Sequence, residues 1–131
     1  QKEVADRIVA KPATEAYGFL TLYVQAFASA KIVMTLEPRS FYPPPKVRSA
    51  VVVLDPRDPG LASPREEVLD LVSASFRMRR KKLVNNLIGW RGLTREQVLE
   101  AMEGAGVDAD ARAETLTLAE FDRLSRLAAT T

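Results

Sequence analysis

Two short β-branched runs, "KIVMTL" (residues 31–36) and "SAVVVLD" (residues 49–55), constrain the fold most. A loop of about a dozen residues joins them, which suits antiparallel pairing. A two-stranded sheet is marginal in water. The pair therefore asks for more sheet beside it than this sequence holds. Beyond "PRDPGLASP" (residues 56–64), a linker rich in proline, every pattern is helical. The expected class is α+β: residues 1–56 close a larger sheet domain, and residues 57–131 form a small all-α domain.

The first segment, "QKEVADRIVAKP", carries Val4, Ile8 and Val9 at helical spacing and stops at Pro12. It has no capping residue in front of it. The helix starts abruptly, and the expectation is a piece of something longer. Thr14 is placed to cap a second helix, in which Phe19, Leu20, Tyr23, Val24 and Phe27 describe a wide buried stripe. Residues 31–36 read as a buried strand. After the linker, Glu66 to Ile88 reads as one long helix with Leu69, Val72, Phe76, Leu83 and Leu87 on one side. Thr94 with Gln97, and Thr117 with Glu120, have the spacing of capping boxes. Gly104 and Gly106 close the helix between them.

Histidine and cysteine are both absent. That removes the commonest general base, the commonest zinc ligand and the thiolate. Chemistry here has to run without imidazole or thiol, and an already activated substrate fits that limit. The lack of cysteine suits a cytoplasmic protein. No apolar run is long enough to span a bilayer, and nothing suggests a dimer seam, so a monomer without membrane attachment is expected. Asp108, Asp110 and Glu114 resemble a calcium loop only loosely, so no metal is expected.

Charge is unevenly spread. Residues 61–82 hold six Lys/Arg against three Asp/Glu, while residues 83–131 hold five against eight. A local anionic partner suits this better than a generally sticky polycation. The basic centre is "FRMRRKKLVNNL", with Arg77, Arg79, Arg80, Lys81 and Lys82 inside one and a half turns of the expected helix. Like charges this close repel. Arg79 and Arg80 also interrupt the apolar seam between Phe76 and Leu83. Phosphate binding explains that better than a solvated face does. The second candidate is "RSFYPPPKV". Three prolines fix φ and remove backbone donors. They serve either as a rigid lead into the strand or as a mount holding Phe41 or Tyr42 ready to stack on a flat ligand.

Taken together, "FYPPPKVRSAVV", "FRMRRKKLVNNL", "YGFLTLYVQ" and the closing "RAETLTLAEF" resemble the motifs of the ribosomal RNA adenine dimethyltransferases. The likeness is greatest to the small-subunit enzymes whose loss gives kasugamycin resistance, and it runs along essentially the whole chain. It implies that residues 1–56 are the last strands and helices of a Rossmann-like methyltransferase domain. The implied reaction moves methyl groups from S-adenosylmethionine to the exocyclic amines of two adjacent adenines in the 3′-terminal hairpin of small-subunit rRNA. The sulfonium donor is already activated, so the enzyme mainly has to flip, hold and align the base. The partner implied is small-subunit rRNA or the pre-ribosomal small subunit.

By the same resemblance, Phe41 packs against the flipped adenine, and Pro43, Pro44, Pro45 and Lys46 form the loop that holds it. Arg79, Arg80, Lys81 and Asn85 match the helix lying near the RNA, and Arg77 and Lys82 of the same basic run join them as candidate RNA-binding residues. Val84 stands where the family often has Arg, which weakens one phosphate contact that Lys82 is placed to replace. The donor's glycine-rich loop, its ribose-binding acid and the Asn-x-Pro-Tyr motif are all expected upstream of Gln1. No catalytic or cofactor-binding residue is therefore assigned in this chain, which is expected to be inactive alone. The alternatives are a large-subunit adenine methyltransferase of the macrolide-resistance type, against which "RAETLTLAEF" speaks, and a non-catalytic RNA-binding or ribosome-assembly module.

Overall fold

The computed structural model describes residues 1–129. Strands β1 (Ala28–Leu36) and β2 (Ser49–Pro56) pair antiparallel, from Ala28 opposite Pro56 to Leu36 opposite Ser49. A bulge between Ile32 and Met34 shifts the register once. The pairing is as expected, but the burial is not. Val33, Met34, Val51, Val53 and Leu54 are all exposed. Residues 31–36 are therefore not a buried strand, because among the described residues no further strand joins the sheet.

Helix α1 (Lys2–Ile8) packs on β2 and on α2 (Phe19–Gln25). Thr14 does not cap α2. Its hydroxyl turns back to the Lys11 carbonyl at 2.6 Å, and the helix starts five residues later, at Phe19 behind Gly18. There Thr21 Oγ1 accepts from the Gly18 amide at 3.2 Å and donates to the Arg7 carbonyl. The expected buried stripe also faces differently. Thr21, Leu22 and the following Ala26 are buried, whereas Phe19, Tyr23 and Phe27 are exposed. The three rings form a row at i, i+4 and i+8, with centroids 5.9 and 5.2 Å apart. Helical spacing reveals an apolar row but not which row the core covers.

Four further helices follow: α3 (Arg65–Ser75), α4 (Leu83–Leu87), α5 (Arg95–Gly104) and α6 (Leu118–Ala129). Their core contains Val68, Leu71, Leu83, Leu87, Met102, Phe121 and Leu124, and it also takes in Tyr17 and Leu22 from before the linker. The linker itself is tied down. The amides of Ala62 and Ser63 donate to the buried Asp122 carboxylate at 2.8 and 2.9 Å. Both capping boxes form: Thr94 and Gln97 exchange bonds at 2.9 and 3.2 Å, and Thr117 and Glu120 at 3.0 and 3.2 Å.

The long helix expected over residues 66–88 is broken. Residues 76–82 leave the α-helix, so the basic run lies in a loop between α3 and α4. Buried Asn86 holds the break. Its Oδ1 accepts from the Met78 amide at 3.2 Å, and its Nδ2 donates to the carbonyls of Ser75 at 2.9 Å and Met78 at 3.0 Å. One side chain thus satisfies backbone groups that helix bonds would otherwise have taken. The break also relieves the crowding of like charges that a continuous helix imposes.

Tyr17 gives a pH signature. Its hydroxyl donates to the Leu116 carbonyl at 2.6 Å, and burial, aided by the charge of Glu120, raises its pKa well above the ordinary 10.0. In the interval above pH 10 the unfolded chain has lost this proton and the folded one keeps it, so stability falls as pH rises. Denaturant titrations at pH 8 and pH 11 are expected to show a smaller alkaline loss for Tyr17→Phe than for the parent. The variant itself loses about 1 kcal/mol at pH 8 with the hydrogen bond. An equal alkaline loss in both would remove Tyr17 as its source.

Candidate nucleic-acid interface

The loop after α3 sorts its cations into two kinds. Arg77, Arg80 and Lys81 are exposed, and their side chains make no hydrogen bond or ion pair among the described residues. Arg79 and Lys82 are engaged. The Arg79 guanidinium donates to the carbonyls of Thr14 at 3.2 Å and Glu15 at 2.6 Å, and pairs with Glu114 at 3.2 Å. Lys82 pairs with Asp110 at 2.8 Å, and that contact holds the Asp110 carboxyl below its usual range. Two of the three acids that loosely suggested a calcium loop therefore serve as partners for the basic run. Three cations are left pointing outward from one short loop, which suits a chain of phosphates.

The neighbouring helix adds to this surface. Asn85 is exposed, and its Oδ1 accepts from Arg95 at 3.3 Å. Arg95, which the sequence did not single out, stands in the first turn of a capped helix, where a cation opposes the helix dipole, and its partner here is Asn85. The Val84 side chain is only 1 % exposed, within the helical core, and points away from solvent. Lys82, placed to replace an Arg there, pairs with Asp110 in this fold.

The proline loop stands at the far end of the β-hairpin. A single 3₁₀ turn, Pro38–Ser40, leads into it, and the Phe41 amide closes that turn on the Pro38 carbonyl. Phe41 is 42 % exposed and Tyr42 99 %. Pro43 and Pro44 are exposed and Pro45 is half-buried. Lys46 lines a shallow cleft of about 480 Å³ with Lys2, Asp6, Glu37 and Arg48. No hydrogen bond or ion pair among the described residues joins this loop to the basic one.

A match to a known family covers both loops together with nearly the whole of the chain. The family model described as "Ribosomal RNA adenine dimethylase" matches residues 1–130. The chain belongs to that family. Members similar to it include the ribosomal RNA small subunit methyltransferases A of Desulfitobacterium hafniense, 43 % identical over 126 residues, and of Geobacillus thermodenitrificans, 46 % identical over 132 residues. Each match covers 95 % of this chain but only 45 % and 44 % of those proteins. The chain thus spans less than half the length of these relatives.

Among solved structures, a dimethyladenosine transferase from Plasmodium falciparum shares the fold, with a TM-score of 0.78 at 24 % identity, over 95 % of this chain and 53 % of that one. The 23S rRNA methyltransferase ErmE superposes with a TM-score of 0.63 at 26 % identity, over 97 % and 51 %. This member of the dimethylase family therefore has a mixed helix and strand fold similar to about half of each of these two structures. Among its described residues no helix is long and apolar enough to cross a membrane.

Proposed function

We propose that this chain is the RNA-facing portion of an S-adenosylmethionine-dependent rRNA adenine dimethyltransferase. Its target is the pair of adjacent adenines in the 3′-terminal hairpin of small-subunit rRNA. The observation that carries the reading is the outward-facing set Arg77, Arg80 and Lys81 in a chain of the rRNA adenine dimethylase family. In this division of labour, residues 1–56 close the methyltransferase sheet and residues 57–131 form the helical domain that carries the basic loop. The working protein is a cytoplasmic monomer.

In this reading the methyl donor is held by the part of the whole protein that this chain does not span, and the contribution of this chain is binding and placement. The free cations hold the RNA backbone, and Phe41, on its proline mount, offers a ring to an extruded base.

The affinity of the chain for a single-stranded or looped RNA should fall with salt. With three free cations on phosphates, log affinity against log salt is expected to slope by about −2. Had all five basic residues been free, the slope would be nearer −3 to −4. Arg80→Gln and Lys81→Gln should each flatten it by about 0.7. A slope near zero in the parent chain would refute the phosphate role.

A further inference from the structure

The sheet and the helical block meet largely through α2, and α2 is held at both ends by arginines from the block. At its C-terminal end, Arg65 Nε donates to the Ala26 carbonyl at 2.9 Å, and the guanidinium lies 4.4 Å above the Phe27 ring. At its N-terminal approach, Arg79 takes the carbonyls of Thr14 and Glu15 and the carboxylate of Glu114. Two more bonds join the same segments. The Ala13 amide donates to the Glu114 carbonyl at 2.7 Å, and the Tyr17 hydroxyl to that of Leu116 at 2.6 Å. Ala13 has φ 66°, a left-handed conformation unfavourable for alanine. It is adopted where these tertiary bonds hold the segment.

We propose that Arg79 is a positioning residue, a clasp that fixes the 13–17 segment to the 113–116 turn and so sets the orientation of the sheet against the helical block. It thereby sets how the Phe41 loop stands relative to the free cations of its own loop. The geometry favours this over a phosphate contact for two reasons. All three bonds leave one nitrogen, Nη2, which joins two carbonyls of the 13–17 segment to the Glu114 carboxylate, so a phosphate reaching Nη2 would have to displace one of them. The cleft beside it, of about 610 Å³, holds Glu3, Asp6 and Glu15 as well as Arg7; Arg7 pairs with Glu3 and Lys2 with Asp6, so Glu15 is the carboxylate left to disfavour an incoming phosphate. The closing "RAETL" stretch then acquires a role: it supplies the clasp's carboxylate and both carbonyls that receive the 13–17 segment.

The chain has no cysteine, so two introduced ones can be spin-labelled selectively. The exposed positions Thr35 on β1 and Ser73 on α3 report the sheet against the block. At a temperature where circular dichroism shows every variant folded, Arg79→Met should broaden the distance distribution. Glu114→Gln should broaden it less and Arg80→Met not at all. Arg79→Lys, which keeps the charge but whose ammonium ends one bond short of Nη2, should also broaden it.

The second readout rests on the RNA-binding reading. Arg79→Met should leave the salt slope unchanged while Arg80→Met lowers it by about 0.7. An unchanged distance distribution in Arg79→Met and Arg79→Lys would overturn the clasp. So would a slope loss in Arg79→Met equal to that in Arg80→Met. Broadened distances with no salt dependence in any variant would instead sink the RNA reading and leave the clasp standing. If Arg79→Met does not fold, Glu114→Gln and Arg79→Lys decide the matter by the same two measurements.

Discussion

Asn86→Ala is expected to lower the stability of the chain by about 3 kcal/mol, and Asn85→Ala by less than about 0.5 kcal/mol. The two asparagines are adjacent in sequence and opposite in role. Asn86 is 5 % exposed and engages one amide and two carbonyls of residues 75–78. Alanine would leave the Met78 amide and the buried Ser75 carbonyl without this partner, while the Met78 carbonyl keeps its bond from the Lys81 amide, and each orphaned group costs about 1–3 kcal/mol. Asn85 faces solvent, where water replaces its bond from Arg95.

In urea, with a slope of about 2 kcal/mol/M, the Asn86 variant should unfold at a midpoint about 1.5 M lower. Its RNA affinity should drop as well, because the loop that presents Arg77, Arg80 and Lys81 loses its frame. Equal midpoints for the two variants would show that the break between α3 and α4 does not depend on Asn86.

Phe41→Ala, in an active protein carrying this sequence, should cut methylation about 10- to 100-fold, the rate equivalent of losing roughly 1–3 kcal/mol of stacking on the target base. RNA affinity should barely move, because the backbone contacts lie in the other loop. The melting temperature should barely move either, since the ring is outside the core. Tyr42→Ala separates the two aromatics. Tyr42 is almost fully exposed, and its loss should leave methylation within about twofold if Phe41 is the stacking ring. Full activity in Phe41→Ala would end the stacking assignment. A drop only in Tyr42→Ala would transfer it to the neighbouring ring.

Much of this chain was legible where cause and effect lie within a few residues. The Thr94–Gln97 and Thr117–Glu120 boxes form as expected, because both partners sit on the same turn. The two β-branched runs pair as expected, because a short loop leaves the hairpin as the simplest arrangement. The basic run was also visible, as charge that a helix has difficulty containing.

Three features were not legible. The expected helix breaks because Asn86 reaches back eight and eleven residues to Met78 and Ser75. Arg79 and Lys82 are drawn from the free set by Glu114 and Asp110, 35 and 28 residues away. The Phe19, Tyr23 and Phe27 row is apolar and exposed, although the same spacing describes a buried face.

The sequence by itself determined the family, the strand pair, the helix caps and the concentration of positive charge. Each of these depends on residue type at fixed short spacing. The tertiary structure alone decided which cations remain free, where the long helix stops and which face of α2 is covered. Those outcomes depend on which distant groups meet, and a donor or charge acts on what folding brings to within about 3 Å of it, however far away that partner stands in the chain.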